Sequence, residues 1–448
     1  MPTYDQLRQQ HIAQANALLP QYQERLSWSA DRLQQERERG LQALVRTAQD
    51  RSPWHRQRLA GIDPAALTED DLEAIPPMTK ADLMDNWDGI VTDQQLNLGL
   101  VNDHLDKLTT DQYLLDGYHA VASGGSTGRR GVFVYDWAGW MAFFLLVRRR
   151  APVTQGPIVQ AVVAAGKSAH LTSALPQTFA NADWPVHRFP VDWPIERIVD
   201  GLNQVQPTHL GGYPSALYLL ANEARAGRLQ IAPGEVGTYA EPLLPEIRAG
   251  LEEAWGEPVA NMWGCSEGGL SRSCGQGRGM HLDDDCFILE VVDAQGRPVP
   301  AGVRGAKIYL TNLFNHAMPL IRYEITDEIT LLDEPCPCGS AHRRIADVMG
   351  RLDDTFVYGG DLQVHPHLFR SALGSQANIL EYQVRQTQRG AAIAVRSDGV
   401  VDMVRLKRDI ERGLVGLGLQ APELSLDQVE GFTRQDTGKL KRFIPLAA

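Results

Sequence analysis

Several short segments hold residue types that do chemistry only in combination. Ser123-Gly124-Gly125-Ser126-Thr127-Gly128-Arg129-Arg130 sets glycines, hydroxyls and two arginines just ahead of an expected strand. Glycines let the backbone turn tightly and aim successive N–H groups inward, while hydroxyls add donors and guanidinium groups add charge, so the segment suits a polyphosphate. A plain surface turn is the competing reading. Ala161 to Ser168 satisfies a looser nucleotide-loop pattern, but Val162-Val163-Ala164-Ala165 continue the apolar run from Ile158 and read as strand, so no NTPase loop is expected there. Glu267, in Trp263-Gly264-Cys265-Ser266-Glu267, follows an expected strand end, where open α/β sheets bind ligands. Asp327 follows Arg322-Tyr323, Gly350-Arg351-Leu352-Asp353-Asp354 lies where the pattern changes, as a hinge would, and Thr437-Gly438-Lys439 puts a lysine in a basic tail. Each of these is weak alone, because a single Asp or Lys is more often a solvated surface group.

Five cysteines make no disulfide framework in a chain of this length. Four soft ligands fall in two clusters, Cys274 with His281 and Cys336-Pro337-Cys338-Gly339. Tetrahedral Zn²⁺ takes Cys₃His sets, and a Cys-x-Cys-Gly turn can present two thiolates to one ion. His342 or Cys286 could replace one ligand, and a set of inert reduced thiols is the alternative. Cys265 is read as a small packing residue rather than a covalent thiol.

Taken in order, the Gly-rich Ser/Thr loop, Trp263-Gly264-x-x-Glu267, Arg322-Tyr323-x-x-x-Asp327, Gly350-Arg351-x-Asp353-Asp354 and Gly438-Lys439 resemble the adenylate-forming superfamily. The likeness is nearest to its phenylacetate–coenzyme A ligase-like branch. Pro76-Pro77-Met78-Thr79-Lys80 and Gly212-Tyr213-Pro214-Ser215 support it, and it runs from about residue 45 to the C-terminus. The resemblance implies attack of a carboxylic acid, expected to be aromatic, on the α-phosphorus of Mg-ATP. The acyl group of the resulting acyl-adenylate then passes to a second nucleophile, usually the thiol of coenzyme A.

By position, the resemblance implies that Ser123 to Arg129 hold the β- and γ-phosphates and that Glu267 ligates Mg²⁺. Asp327 would accept hydrogen bonds from the ribose hydroxyls, Arg351 would help at the nucleotide, and Asp353 would be the pivot of a rotating small domain. Trp263, Gly264, Tyr213, Tyr239 and Glu241 would line the adenine and acyl pockets, and Lys439 would bridge the attacking carboxylate and the α-phosphate. Some relatives carry zinc in the region of Cys274, His281, Cys336 and Cys338, and relatives are often dimers. The segment Tyr358 to Val364 departs from the pattern of relatives, which leaves open an acceptor other than coenzyme A, such as a carrier protein or an amine, or activation of another oxyacid. Arg130 stands where proline is common.

The elements that must position these residues follow from periodicity. Gly131 to Tyr135 reads as a strand with Asp136 capping a helix, and Ile158 to Ala165, Pro214 to Arg225 and Val259 to Trp263 continue an alternation of strands and helices, which indicates an α/β fold with mostly parallel sheet. Residues 286–311 change to strand–turn–strand, a β appendage, and residues 3–60 read as amphipathic helices interrupted at Pro20. The expected division is a large domain over 1–351, including a helical extension over 1–60, and a small mobile α+β lid over 352–448. The 448 residues carry a net charge of -12, all of it within 1–351, because residues 352–448 hold 12 basic and 12 acidic residues. That excess of acid argues against wrapping nucleic acid by bulk charge. The longest apolar run, Trp137 to Val147, is too short to span a bilayer, and the N-terminus shows no secretory pattern, so a cytoplasmic protein is expected.

Overall fold

The computed structural model describes all residues except 1–2, 124–129, 151–157, 167, 182–183, 192, 349, 351–353, 360–361, 365, 375, 377, 435–439 and 447–448. Strands β1 (Tyr118–Ala122) and β2 (Val132–Asp136) form an antiparallel hairpin whose connection is the Gly-rich segment. A nine-stranded sheet begins with β3 (Gln160–Ala164), β4 (Val186–Pro190), β5 (His209–Gly212), β6 (Glu235–Tyr239) and β7 (Val259–Gly264), all parallel. It continues antiparallel through β8 (Leu270–Ser273) and β9 (Met280–Leu282). Strands β10 (Phe287–Val292), β11 (Lys307–Asn312) and β12 (Tyr323–Ile325) make a separate antiparallel sheet, the expected appendage. The hairpin of β13 (Leu331–Leu332) and β14 (Arg344–Ile345) then returns to the large sheet, in the order β13-β14-β9-β8-β7-β6-β5-β3-β4.

Beyond it lie a hairpin of β15 (Phe356–Tyr358) and β16 (Leu362–Val364) and a four-stranded sheet of β17 (Ile379–Thr387), β18 (Gly390–Ser397), β19 (Glu423–Gln428) and β20 (Phe443–Ile444). With helices His367–Leu373 and Met403–Gly416, these strands form an α+β region.

Local chemistry explains the elements near the site. Asp136 accepts a hydrogen bond from Gly139 N at 2.7 Å and so caps helix Trp137–Arg149, one of whose orphan donors is thereby satisfied. Helix Pro214–Arg225 opens with proline at its first position, where no N–H is needed. The strand order places β4 and β5 on opposite sides of β3, so the sheet changes winding direction between β3 and β5. Ligands of open α/β sheets bind outside the carboxyl ends of the strands at such a switch.

Pro20 does not interrupt the N-terminal helix. Helix Tyr4–Glu24 runs through it, and the chain breaks only at Arg25–Ser27 before Ser29 caps helix Ala30–Arg51. Proline near a helix end forfeits one backbone bond, and burial of Leu7, His11, Ile12 and Ala15 against the body of the protein outweighs that loss. Among the described residues no helix is long and apolar enough to cross a membrane.

Candidate active site

Adjacent parallel strands deliver the candidate residues to one edge of the sheet. Gly212 lies level with Thr238, and Tyr239 with Met262, so the residues that follow β5, β6 and β7 emerge side by side. These are Tyr213, Glu241 and the turn from Gly264 to Gly269. Tyr213 is fully buried at the switch between β3 and β5. Its hydroxyl accepts a hydrogen bond from Ala165 N at 3.2 Å, and its ring meets Tyr239 edge-on with centroids 6.2 Å apart. Burial raises both phenols above their ordinary range, so both remain protonated donors.

Ala240, between Tyr239 and Glu241, has φ +68°. A side-chain-bearing residue in the left-handed region is uncommon and costly, and such conformations gather at functional sites. The turn directs Glu241 back across the strand ends. One of its oxygens accepts from Ser215 N at 3.1 Å and the other from Leu440 N at 3.2 Å. A single carboxylate therefore joins the first turn of helix Pro214–Arg225 to the residue that follows Lys439. Arg434 reinforces the join, donating to Ser215 Oγ at 3.3 Å and pairing with Glu381.

Trp263 and Asp327 come together although 64 residues separate them, with indole Nε1 donating to Oδ2 at 2.8 Å. Both are buried, at 7% and 5% exposure, so this bond is shielded from water. Glu267 lies in the β7–β8 turn, its carbonyl held at 2.8 Å by Asn312 Nδ2, while Tyr135 donates to the neighbouring Ser266 carbonyl at 2.6 Å. Gly268 has φ +107°, and a Cβ there would fall 2.0 Å from Asn312 Nδ2, so the turn requires glycine. Cys265 is packed in the same turn. Burial, with Glu267 and Asp327 nearby, drives its thiol well above the usual range, so it remains a neutral packing group.

The Gly-rich segment is flanked by Ser123 and Arg130. Ser123 Oγ accepts from Gly131 N at 2.8 Å, which closes the hairpin. Arg130 donates to Asn102 at 2.7 Å and pairs with Asp106 at 3.1 Å, which ties the end of the loop to helix Leu98–Lys107. Gly124, Gly125, Ser126, Thr127, Gly128 and Arg129 lie outside the described residues, as do Arg351, Asp353 and Lys439.

Arg322 has a structural role. It grips Glu290 through two bonds, at 3.0 and 2.8 Å, and donates to Ile75 O at 2.6 Å. It thereby aligns two sequence motifs, for Met78 N bonds to Arg322 O and Glu324 N to Met78 O. The looser nucleotide-loop pattern at Ala161 to Ser168 is strand β3 through Ala164, buried and unable to cradle phosphate.

The four soft ligands converge. The ligand atoms of Cys274, His281, Cys336 and Cys338 all lie within 4.8 Å of one another. Cys274 and Cys336 sulfurs are 3.7 Å apart, and Cys338 Sγ is 3.3 Å from His281 Nε2. Tetrahedral Zn²⁺ with its usual bond lengths would set these edges at about 3.8 and 3.5 Å. His281 Nδ1 faces the His342 carbonyl at 3.0 Å, which leaves Nε2 free to ligate, and burial lowers its pKa to about 4, favouring the neutral ring. Gly277 makes room, since a Cβ there would lie 2.8 Å from Cys336 Sγ. The residues fit the ion. His342 instead meets Asp284 N at 3.2 Å, and Cys286 lies against Asp285 at 3.4 Å, so neither alternative ligand joins the cluster.

Sequence reasoning missed one charged core. Arg149 is 2% exposed and grips Asp283 and Asp285 at 2.6 Å each, while Arg343 holds Asp284 at 2.8 Å. The signal was a run of three arginines at 148–150 and a run of three aspartates at 283–285, whose partnership only the fold reveals.

The fold is that of the adenylate-forming enzymes. 2-Hydroxyisobutyryl-CoA ligase in its postadenylation state superposes with a TM-score of 0.72 at 20% identity, over 94% of this chain and 91% of that one. The amide bond synthetase McbA from Marinactinospora thermotolerans gives 0.52 at 15% identity, over 72% and 67%. In sequence the chain resembles the phenylacetate–coenzyme A ligases: it is 29% identical over 397 residues to the one from Thermus thermophilus, spanning 84% of this chain and 81% of that enzyme. No family model matches the chain.

Proposed function

We propose that this chain is an AMP-forming ligase that activates a carboxylic acid, aromatic by its likeness to phenylacetate–coenzyme A ligases, and passes the acyl group to coenzyme A. The observation that carries the reading is the gathering of Tyr213, Glu241, the buried Trp263–Asp327 pair and the Glu267 turn at the ends of neighbouring parallel strands. In the first step a carboxylate oxygen attacks the α-phosphorus, the bond to the β-phosphate bridging oxygen breaks, and pyrophosphate leaves. In the second the thiolate attacks the acyl carbonyl and AMP leaves.

Ser123, Gly124, Gly125, Ser126, Thr127, Gly128 and Arg129 are assigned to the β- and γ-phosphates, Asp327 to the ribose, Arg351 to the nucleotide and Trp263, Gly264, Tyr213 and Tyr239 to the adenine and acyl pockets. Asp327, kept oriented by Trp263, needs no reorganisation when the ribose arrives. Glu267 would hold Mg²⁺, which when bound offsets phosphate charge. That help matters because the net charge of -12 lies in the part of the chain that must accept ATP.

Lys439 is assigned to the attacking carboxylate and α-phosphate, and Asp353 to the pivot that exchanges the two half-reactions. Glu241 supports this arrangement by fixing Leu440 at the strand ends. Loss of one preorganised cation costs about 3–4 kcal/mol, or roughly 10²- to 10³-fold. Lys439→Ala is therefore expected to abolish ATP–pyrophosphate exchange while the preformed acyl-adenylate still yields thioester. Full exchange in that variant would overturn the assignment.

Transfer to a carrier-protein thiol or an amine is the second reading, favoured by the departure of Tyr358 to Val364 from the pattern of relatives. Product mass spectrometry with and without coenzyme A separates the two. For Cys274, His281, Cys336 and Cys338 we propose a structural Zn²⁺, supported by the tetrahedral spacing of their ligand atoms.

A further inference from the structure

One face of the parallel sheet lacks side chains at two positions in register. Gly211 of β5 pairs with Gly237 of β6; a Cβ built on Gly237 would meet nothing within 4 Å, whereas one built on Gly211 would touch the Tyr239 ring at 3.4 Å. The gap opens into a cavity of about 100 Å³ between the sheet and the end of helix Trp137–Arg149. Tyr239, Gly237 and Glu235 share this face because alternate strand residues point the same way, and they span about 13 Å from the strand end towards the strand start. The cavity therefore begins at the Tyr239 end, beside the proposed chemistry, with Trp184 and Met262 as apolar walls.

Its far end is charged. Arg272 pairs with Glu235, and His209 lies 3.7 Å from the same carboxylate. Burial first, and the neighbouring arginines, keep His209 below its ordinary pKa and so neutral near pH 7. Arg148 is half-buried and its side chain has no hydrogen bond or ion pair with the described residues; its guanidinium lies 5.3 Å over the Trp184 ring. Gln160 Oε1 and Glu235 Oε2 are buried there without a hydrogen-bond partner among the described residues; both are acceptors, so any attraction for an anion at this end comes from the guanidinium groups. Two guanidinium groups against one carboxylate leave this end net positive, and Arg148, which feels the Glu235 charge but makes no ion pair at contact distance among the described residues, lines the cavity.

We propose that the activated acid carries a second carboxylate at its far end, bound by Arg148, at the bottom of a slot floored by Gly211 and Gly237. The inference rests on the acid-activating reading and gives its substrate class: dicarboxylic acids with a spacer, ring or chain, of roughly 10 Å or less. A half-buried charge-assisted bond discriminates by on the order of 10²-fold.

The test compares ATP–pyrophosphate exchange for diacids against matched monoacids with a terminal methyl or amide, over aliphatic and para-substituted aryl spacers. The wild type should favour the diacid by on the order of 10²-fold in kcat/KM. Arg148→Met should bring that ratio near unity, and Arg148→Lys should restore part of it. Gly237→Val should exclude the longer diacids while shorter ones still react. Calorimetric titration of diacid into the wild type and Arg148→Met reads the slot without turnover. Diacid binding that depends on Arg148 without any exchange would keep the slot and overturn the ligase reading. Exchange that favours monoacids, or a ratio unmoved by Arg148→Met, would overturn the slot and leave the ligase reading intact.

Discussion

Replacing Trp263 with phenylalanine removes one donor and keeps a ring in the same wall. The lost bond is 2.8 Å long, ends on a carboxylate and lies in a buried pair, so its removal strands part of the Asp327 charge away from water. Hydrogen bonds to charged groups contribute about 1.5–3 kcal/mol, which corresponds to roughly 10- to 150-fold in an equilibrium constant. If Asp327 receives the ribose hydroxyls, the cost falls on nucleotide binding, because a carboxylate that has lost the indole bond is less well oriented for each ATP. KM for ATP in the exchange assay should rise by about 10- to 100-fold, with kcat at saturating ATP within about threefold of the wild type. KM for the acid should change little. Urea unfolding of the same variant should show a loss of about 1–2 kcal/mol, because a buried acceptor that loses a donor destabilises the fold with or without substrate. A variant that loses stability but keeps the wild-type KM for ATP would refute the assignment of Asp327 to ribose. A variant unchanged in both would refute the bond itself.

Arg149→Met should cost about 3–5 kcal/mol at pH 7, because two buried carboxylates lose the buried cation they share and keep only Arg150 at 2.9 Å from Asp283 and Arg25 at 3.4 Å from Asp285. Burial alone would raise the Asp285 carboxyl, but Arg149 and its hydrogen bonds outweigh burial and hold it well below the usual carboxylate range. Its contribution in the wild type is therefore complete above the unfolded carboxylate pKa of about 4 and fades as pH falls towards the depressed folded value. In the variant the buried acids can take up protons instead, so the difference in urea unfolding should be largest at pH 7 and shrink towards pH 4; a gap that widens in acid would contradict the buried clamp. Cys336→Ser should lower zinc, about one per chain in the wild type by elemental analysis, and reduce thermal stability. Wild-type protein prepared without chelator and found fully folded but free of zinc would rule out the metal.

How much of this could be read from sequence depended on whether the cause was local. Asp136 as a helix cap, Pro214 at a first helical turn and the extended run from Ile158 follow from neighbouring residues, and the structure agrees. The strand-end motifs were legible because glycine and aromatic residues mark tight turns at ligand-binding edges. The Cys-x-Cys-Gly turn pointed to a ligand pair, whereas the register of β9 with β14 was needed to bring His281 to it. Pro20 misled because a helix end tolerates a lost bond when its other face is buried. Arg149 and its aspartates could not be matched in advance, since 134 residues separate Arg149 from Asp283 and like charges in a row suggest a solvated surface. Gly211 and Gly237 were individually unremarkable, and only parallel pairing sets the two bare positions side by side.

The Cys/His cluster also bears on what happens at the rim of the large sheet. Its outermost strand, β13, is two residues long, and β14 and β9 beside it have two and three residues. Such short ladders hold little by pairing alone, and a rim that comes loose presents unpaired N–H and C=O groups to any passing chain. Cys274 lies between β8 and β9, and Cys336 and Cys338 between β13 and β14, so a shared ion would rivet the two hairpins at their tips. The main hazard of losing that rivet would be self-association along the rim: the ion's role at this edge would be to keep one copy of the sheet from recruiting the next.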